Sequence, residues 1–181
     1  MKSGEIRVLC GPMFSGKTEE LLRLLRQATY AKRKVMLFKP LIDNRYSENE
    51  VVSHNSSRMP SINVARAQDI FVQAQDADVV GIEEVHFLGP DVIKVCQDLA
   101  SLGKRVIVTG LDQDYRGVPF HPMPYLMAIA EHVVKISAIC MVCGEPATRT
   151  QRINRATGRI AVGGAEAYEA RCRAHHTVEP L

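Results

Sequence analysis

One run near the start of the chain constrains its fold more than any other: Gly11-Pro12-Met13-Phe14-Ser15-Gly16-Lys17-Thr18 satisfies G-x-x-x-x-G-K-[ST] at every position. The residues before it, Ile6-Arg7-Val8-Leu9-Cys10, read as a short buried strand. After it, Leu21, Leu24, Leu25 and Ala28 fall at helical spacing, so a helix is expected from Lys17 to about Ala31. A phosphate cradle needs this order of strand, glycine loop and helix. The glycines let the backbone curl so that its N–H groups face phosphate oxygens, and the helix N-terminus adds partial positive charge. In this reading Lys17 reaches the β- and γ-phosphates of ATP, and Thr18 offers its hydroxyl to Mg²⁺. The competing reading, a glycine turn that fits by chance, does not explain the flanking strand and helix.

The apolar pattern continues the theme. Lys34-Val35-Met36-Leu37-Phe38, closed by Pro40, Asp78-Val79-Val80-Gly81-Ile82 and Arg105-Val106-Ile107-Val108-Thr109 read as strands, and His132 to Ile136 as a last one. Helices are expected over Ala67 to Ala74, over Pro90 to Leu102 and over Pro122 to Ala130. In the second of these, Val92, Val95, Cys96 and Leu99 share one face and Gly103 is the stop. Strands apolar along their whole length, alternating with helices, imply a mostly parallel sheet covered on both faces: an α/β fold. Segment 41–60 is polar, carries several Ser and Asn, shows no period, and is expected to be a mobile loop. From Ala138 the alternation gives way to paired Cys, scattered Arg and Thr, and more Gly. The chain is therefore divided into a nucleotide-binding core, 1–137, and a small C-terminal domain, 138–181.

An acidic partner for the phosphate site stands at the end of a strand, in Val79-Val80-Gly81-Ile82-Glu83-Glu84. Apolar strands deliver functional groups at their carboxyl ends in open α/β sheets. Two adjacent acids can divide the labour, one holding Mg²⁺ and the other taking a proton from an attacking hydroxyl. A simple acidic turn before the next helix is the alternative.

The chain has 5 cysteines, an odd count at uneven positions that argues against a disulfide framework. Cys10 and Cys96 sit inside apolar patterns and read as packing residues. Cys140-Met141-Val142-Cys143 is C-x-x-C, and Cys172-Arg173-Ala174-His175 is C-x-x-H. Two close pairs of this kind match a four-ligand structural Zn²⁺ site with no open position. His176 could replace His175, at poorer spacing. A redox C-x-x-C would open a helix in a thioredoxin-like unit, and that context is missing.

Several segments together identify a resemblance. Gly11 to Thr18, down to Pro-Met-Phe between the glycines, resembles the P-loop of the cellular-type (type II) thymidine kinases. Lys39-Pro40-Leu41-Ile42-Asp43-Asn44-Arg45-Tyr46 resembles the family's K-P-x-x-D-x-R-Y. Gly110-Leu111-Asp112-Gln113-Asp114-Tyr115-Arg116-Gly117-Val118-Pro119-Phe120 is similar to its G-L-D-x-D-[FY]-x-x-x-P-F. Val162-Gly163-Gly164-Ala165-Glu166-Ala167-Tyr168 resembles its substrate-covering lasso. The resemblance runs in order along nearly the whole chain. It implies a RecA-like P-loop core with a zinc-anchored lasso domain, a homotetramer, and transfer of the ATP γ-phosphate to the 5′-hydroxyl of thymidine. It also implies feedback inhibition by dTTP. By residue, it makes Glu84 the catalytic base and Glu83 the metal-linked acid beside Thr18. ATP would be bound by Gly11, Pro12, Met13, Phe14, Ser15, Gly16, Lys17, Thr18, Asp43, Arg45, Glu83, Glu84, Val85 and His86. Met13, Leu111, Tyr115 and Phe120 would line the base pocket, and Thr148, Val162, Gly163, Gly164 and Tyr168 would close over the nucleoside. For Met13, Tyr115 and Phe120 core packing is the plainer alternative. The chain departs from the family at the strand end, where Asp-Glu-x-Gln is usual and Glu83-Glu84-Val85-His86 stands here. Glu83 is a methylene longer, and His86 replaces an amide with a ring that titrates near neutral pH.

Two other functions compete: a P-loop ATPase or switch without an organic acceptor, and a zinc-dependent nucleic-acid-binding module. The lasso-like stretch speaks against the first. Against the second, the formal net charge is only +3, and the arginines Arg149, Arg152, Arg155 and Arg159 have no aromatic ladder beside them. Neither a nucleic-acid nor a membrane partner is expected, since no apolar run approaches the roughly 20 residues that span a bilayer. Met1-Lys2-Ser3-Gly4-Glu5 lacks the apolar segment of a signal peptide, so the expected location is cytoplasmic.

Overall fold

The computed structural model describes residues 4–41, 50–52, 58–154 and 164–178. In chain order the core elements are β1 (Glu5–Cys10), α1 (Lys17–Tyr30), β2 (Val35–Pro40), β3 (Glu50–Val52), β4 (Arg58–Pro60), β5 (Ile62–Val64), α2 (Ala67–Gln73), β6 (Val79–Ile82), α3 (Asp91–Ser101), β7 (Arg105–Gly110), α4 (Met123–Ile129) and β8 (His132–Lys135). Four short strands follow: β9 (Ala138–Ile139), β10 (Pro146–Ala147), β11 (Arg149–Arg152) and β12 (Tyr168–Arg171).

Six strands form one sheet in the order β5-β2-β6-β7-β1-β8, with every neighbouring pair parallel. The central strands are mostly apolar, β6 throughout, because both faces are covered. In β1, Ile6, Val8 and Cys10 face the layer of α2, α3 and α4, while Leu9 faces α1. In β7, Val106 and Val108 take the first side and Ile107 the second. β7 stands between β1 and β6, so the strand leading into the glycine loop and the strand ending in Glu83-Glu84 are not neighbours. This interposed strand gives the core its RecA-like order.

α1 buries Leu21, Leu22, Leu25 and Ala28, with Leu24 at the margin. Gly81 explains how closely it packs. A Cβ there would lie 2.7 Å from Leu25 Cδ1 and 3.0 Å from Leu37 Cδ1, so a strand position without a side chain lets the helix approach the sheet. Cys10 and Cys96 are packing residues, fully buried; burial pushes their thiols up to about 11 and about 12, with Asp112 adding to the effect on Cys10.

Of the segment expected to be a mobile loop, 41–60, residues 42–49 and 53–57 lie outside the described residues. β3 and β4 pair antiparallel within it, and Val51 and Met59 pack against the α1 side of the core. Three-residue strands are too short to show a period in sequence. β5, which pairs with β2, escaped for the same reason. Beyond β8 the pairing changes character: β9 with β10 and β11 with β12 are antiparallel. Their small core of Ala138, Cys140, Ala147 and Ala170 takes in Phe14 from the glycine loop. Among the described residues no helix is long and apolar enough to cross a membrane.

Leu25→Ala is expected to destabilise the protein by about 2–5 kcal/mol, since the side chain is fully buried between α1 and Gly81 and the packed sheet cannot collapse into the gap. Urea denaturation of the two proteins checks this; an unchanged midpoint would show that α1 does not pack as described.

Candidate active site

Because the sheet is parallel, the carboxyl ends of β1, β2, β6, β7 and β8 open on one edge, where ligand sites of such sheets form. The glycine loop leaves β1 at this edge. At Gly11, φ is 145°, and a Cβ would fall 2.1 Å from the Ile136 carbonyl oxygen just after β8. Only glycine fits that approach. Gly16 takes a left-handed conformation immediately before α1. Ser15 Oγ donates to the Pro12 carbonyl at 2.9 Å, and Lys17 Nζ donates to the same carbonyl at 2.7 Å. The ammonium is thus held inside the loop, at the N-terminus of α1 and 8% exposed. Phe14, at φ 64°, packs its side chain against the small C-terminal core of Ala138, Cys140, Ala147 and Ala170.

The two acids at the end of β6 have different surroundings. Glu83 is 4% exposed. Thr18 Oγ1 donates to its Oε1 at 2.5 Å, and Thr109 Oγ1 donates to its Oε2. Burial foremost, then the neighbouring Glu84 charge, raises the Glu83 carboxyl to about 7; the hydroxyls of Thr109 and Thr18 and the Lys17 charge pull the other way. Thr109 was missed as a site residue. Its signal was a lone hydroxyl at the carboxyl end of an otherwise apolar strand. Glu84 sits at φ 47°, ψ 44°, a left-handed conformation that costs a non-glycine residue about 1–3 kcal/mol. Its N–H donates to Thr109 Oγ1 at 3.3 Å. Its carboxylate lies 3.4 Å from His86 Nδ1. That same nitrogen accepts the Leu111 N–H at 3.2 Å, a bond that uses the lone pair of a neutral ring. His86 is buried against Phe87 and Phe120, with ring centroids 4.2 and 4.7 Å away. Val85 is fully buried and offers a nucleotide only its backbone.

Leu111, Tyr115 and Phe120 lie on the segment after β7, which the structure brings against the C-terminal strands. Asp114 builds the turn there. It accepts the N–H groups of Arg116 and Val118 at 2.9 and 3.0 Å, and Gly117 follows at φ 77°. Burial works against the Asp114 carboxylate, but Arg116 and these backbone donors outweigh it and hold its pKa below the usual value. Three contacts cross to the C-terminal unit: Arg149 donates to Gln113, His176 Nε2 lies 2.7 Å from the Tyr115 carbonyl oxygen, and the Arg152 guanidinium lies 3.8 Å over the Tyr115 ring. Tyr168, buried on β12, receives a hydrogen bond from Arg152 at 3.1 Å. Thr148 is half-buried just before β11. It is Thr150, two residues on and not singled out from sequence, whose hydroxyl accepts the Met13 N–H at 3.1 Å. Gly164 lies in the turn before β12, where its carbonyl accepts the N–H groups of Ala167 and Tyr168. Asp43, Arg45, Val162 and Gly163 lie outside the described residues.

Cys140, Cys143, Cys172 and His175 converge, with one ligand atom from each lying within 4.8 Å of all the others. Cys143 and Cys172 sulfurs are 3.8 Å apart, and His175 Nδ1 is 3.7 Å from Cys140 Sγ and 3.2 Å from Cys172 Sγ. Metal–sulfur arms of about 2.3 Å in a tetrahedron give an edge near 3.8 Å, so the donor set fits a structural metal. Desolvation opposes a Cys140 thiolate, but the N–H groups of Cys172, Val142 and Cys143 and the His175 ring outweigh it and bring its pKa to about 5. The structure separates the two histidines: His175 joins the cluster, while His176 reaches Tyr115.

Comparison with known proteins agrees with this geometry. The chain is 54% identical over 170 residues to the thymidine kinase of Rhodothermus sp. (strain ITI 518), spanning 94% of this chain and 80% of that protein. In structure it resembles the flagellar accessory protein FlaH of Methanocaldococcus jannaschii, at a TM-score of 0.54 and 12% identity over 81% of this chain and 76% of that one, a likeness of fold alone. It also aligns with domain III of the Thermotoga maritima replication initiation protein DnaA, at a TM-score of 0.45 and 12% identity over 74% of this chain and 55% of that one, which is too weak to carry an argument. The family model described as "Thymidine kinase" matches residues 4–176. A phosphate loop, an acidic strand end, a Cys₃His cluster and this match over almost the whole length agree, and the chain belongs to the thymidine kinase family.

Proposed function

We propose that this chain transfers the γ-phosphoryl group of ATP to the 5′-hydroxyl of thymidine, with Glu84 as the general base and Glu83 as the acid that, with Thr18, holds Mg²⁺. Family membership carries the reaction and its use of ATP. One observation supports the division of roles: both Glu83 oxygens are engaged by threonine hydroxyls, whereas Glu84 is turned out of the strand into a left-handed conformation. A carboxylate gripped on both sides is suited to holding a cation, and its hard oxygen donors suit Mg²⁺. The cation would supply charge neutralisation for the phosphates. A strained, separately aimed neighbour is suited to proton transfer.

In this mechanism the N–H groups of Phe14, Ser15 and Gly16 and the Lys17 ammonium hold the β- and γ-phosphates in line with the acceptor; Pro12 has no N–H, and that of Met13 goes to Thr150. Asp43, Arg45, Val85 and His86 complete the ATP side by resemblance. Glu84 takes the proton as the 5′-oxygen bonds to the γ-phosphorus and the bond to the β-phosphate oxygen breaks, giving dTMP and ADP. Met13, Leu111, Tyr115 and Phe120 hold the thymine ring. Thr148, Val162, Gly163, Gly164 and Tyr168 close over it and exclude water, a competing acceptor. Thr150 joins this set, since its hydroxyl ties β11 to the loop at Met13. The division at residue 137 belongs to this reading, as do zinc as the metal of Cys140, Cys143, Cys172 and His175, a homotetramer, dTTP feedback, a cytoplasmic location and supply of dTMP for DNA synthesis. The two competing functions, an ATPase without acceptor and a zinc-dependent nucleic-acid module, are not favoured by a thymidine kinase match spanning residues 4–176.

Glu84→Gln keeps the shape and removes the proton acceptor, so turnover is expected to fall about 10²–10⁴-fold while thymidine binding survives. Steady-state kinetics with thymidine varied at saturating ATP measure both; a variant retaining more than about a tenth of parental turnover would remove Glu84 from the role of base.

The raised pKa of Glu83 makes a second expectation. In the folded protein without metal, Glu83 keeps its proton up to about 7, whereas unfolded it loses it near 4.5. The folded state therefore binds more protons across that window, and stability falls as pH rises through it. Cation binding must displace this proton, so the Mg²⁺ concentration giving half-maximal rate should rise as pH drops below about 7. A Mg²⁺ requirement independent of pH between 5.5 and 8 (approximate bounds around that value) would contradict the assignment.

Elemental analysis of protein purified without chelator is expected to find about one zinc per chain. Cys172→Ser should lose the metal and raise the KM for thymidine more than that for ATP, because β12 and the turn before it are anchored beside the cluster. Full metal content, or equal effects on both substrates, would refute this anchoring.

A further inference from the structure

Arg152 ends β11 directly opposite Tyr168 on β12. Its guanidinium makes two contacts at once. Cζ lies 3.8 Å from the centre of the Tyr115 ring, on the segment after β7, and a terminal N–H donates to Tyr168 Oη at 3.1 Å. The Tyr168 ring centre is 5.6 Å away. One planar group therefore bridges an aromatic ring of the core to an aromatic ring of the C-terminal unit. We propose that Arg152 is a positioning residue for the nucleoside: it sets the spacing of Tyr115 and Tyr168, the two rings from separate units that flank the thymidine site. The proposal rests on the reading above that these rings line that site.

Other groups already hold the C-terminal unit in place, so Arg152 is not needed merely to attach it. Arg149 donates to Gln113, and His176 reaches the Tyr115 carbonyl. The Met13 N–H of the glycine loop donates to Thr150 Oγ1 at 3.1 Å. Phe14 is packed into the small core. These contacts fix backbone and loop ends, whereas Arg152 alone among them touches both rings. Among the described residues, the other cation over the Tyr115 ring, Arg116, lies 5.9 Å from its centre and is paired with Asp114 at 3.0 Å. The chemistry asks for arginine in particular. A flat, delocalised cation can lie on a ring face while an in-plane N–H points at a phenol; a lysine ammonium on a flexible stem cannot do both.

The test uses the full-length, metal-replete protein with Arg152→Met and Arg152→Lys. Both variants should keep the parental metal content and melting temperature. Arg152→Met should raise the KM for thymidine about tenfold, the scale of one cation–π contact and one hydrogen bond, with the KM for ATP within about twofold of the parent. Arg152→Lys, which keeps charge and stem, should recover little of the loss. A parental thymidine KM in Arg152→Met, a parallel rise for both substrates, or full recovery by lysine would overturn the proposal. Should Arg152→Met fail to fold, Arg152→Lys decides alone: a raised thymidine KM supports the positioning role, and a parental value ends it. A parent protein without thymidine-dependent ADP formation would defeat the functional reading and this inference together. Normal parental turnover beside an unaffected variant would defeat the inference alone.

Discussion

The site is organised around one buried carboxylate. Glu83, at the end of β6, is gripped by the Thr18 hydroxyl from the first turn of α1 and by the Thr109 hydroxyl from the end of β7. Hydrogen bonds to a charged acceptor contribute about 1.5–3 kcal/mol each when the alternative is an unsatisfied buried group. They offset a desolvation cost large enough to drive the Glu83 carboxyl far above the ordinary carboxylate range. The same two bonds lock the glycine loop, the acidic strand and the interposed strand into one register. Thr109 also accepts the Glu84 N–H, so the strained backbone of the second acid is braced by the group that holds the first. Position and proposed chemistry are therefore coupled here: the residues that tie the sheet edge together include those assigned to the cation and to the acceptor hydroxyl in the proposed function.

A second constraint follows from the glycine loop having two sides. Its inner side holds Lys17 against the Pro12 carbonyl. Its outer side sends Phe14 into the small core of the C-terminal strands and the Met13 N–H to Thr150. The phosphate cradle and the part of the protein assigned to the nucleoside thus share a wall. The Cys₃His cluster shares that small core through Cys140 and Cys172. A metal there would stiffen the C-terminal strands without taking part in the chemistry, in keeping with four protein ligands and no open position.

The departures at Glu83 and His86 look different in three dimensions. The longer acid at 83 reaches both threonines, so its extra methylene is used. His86 lies in an aromatic cluster with Phe87 and Phe120 and accepts the Leu111 N–H. It is tied to the segment named for the base pocket as much as to the acid beside it.

Much of this was legible in sequence, where the signal is local. The glycine loop, the apolar strands, the acidic strand end and the two cysteine pairs are each contained in a few consecutive residues, because backbone conformation, burial on both faces and ligand spacing are short-range demands. Several things were out of reach for a physical reason. Three-residue strands such as β3, β4 and β5 carry no period to detect. Leu22 is as fully buried as Leu21 and Leu25, although it lies outside the helical spacing that marked the apolar face of α1. Thr109 and Thr150 act through partners 26 and 137 residues away, so nothing beside them announces a role. By itself, the sequence determined the fold class, the phosphate loop, the acidic pair and the three cysteines of the cluster. Only the tertiary structure decided which acid is held by the two threonines and which is turned into a left-handed conformation, which histidine joins the cluster, and that Arg152 bridges two rings. Those are relations between distant segments, set by how the sheet edge and the C-terminal strands pack together.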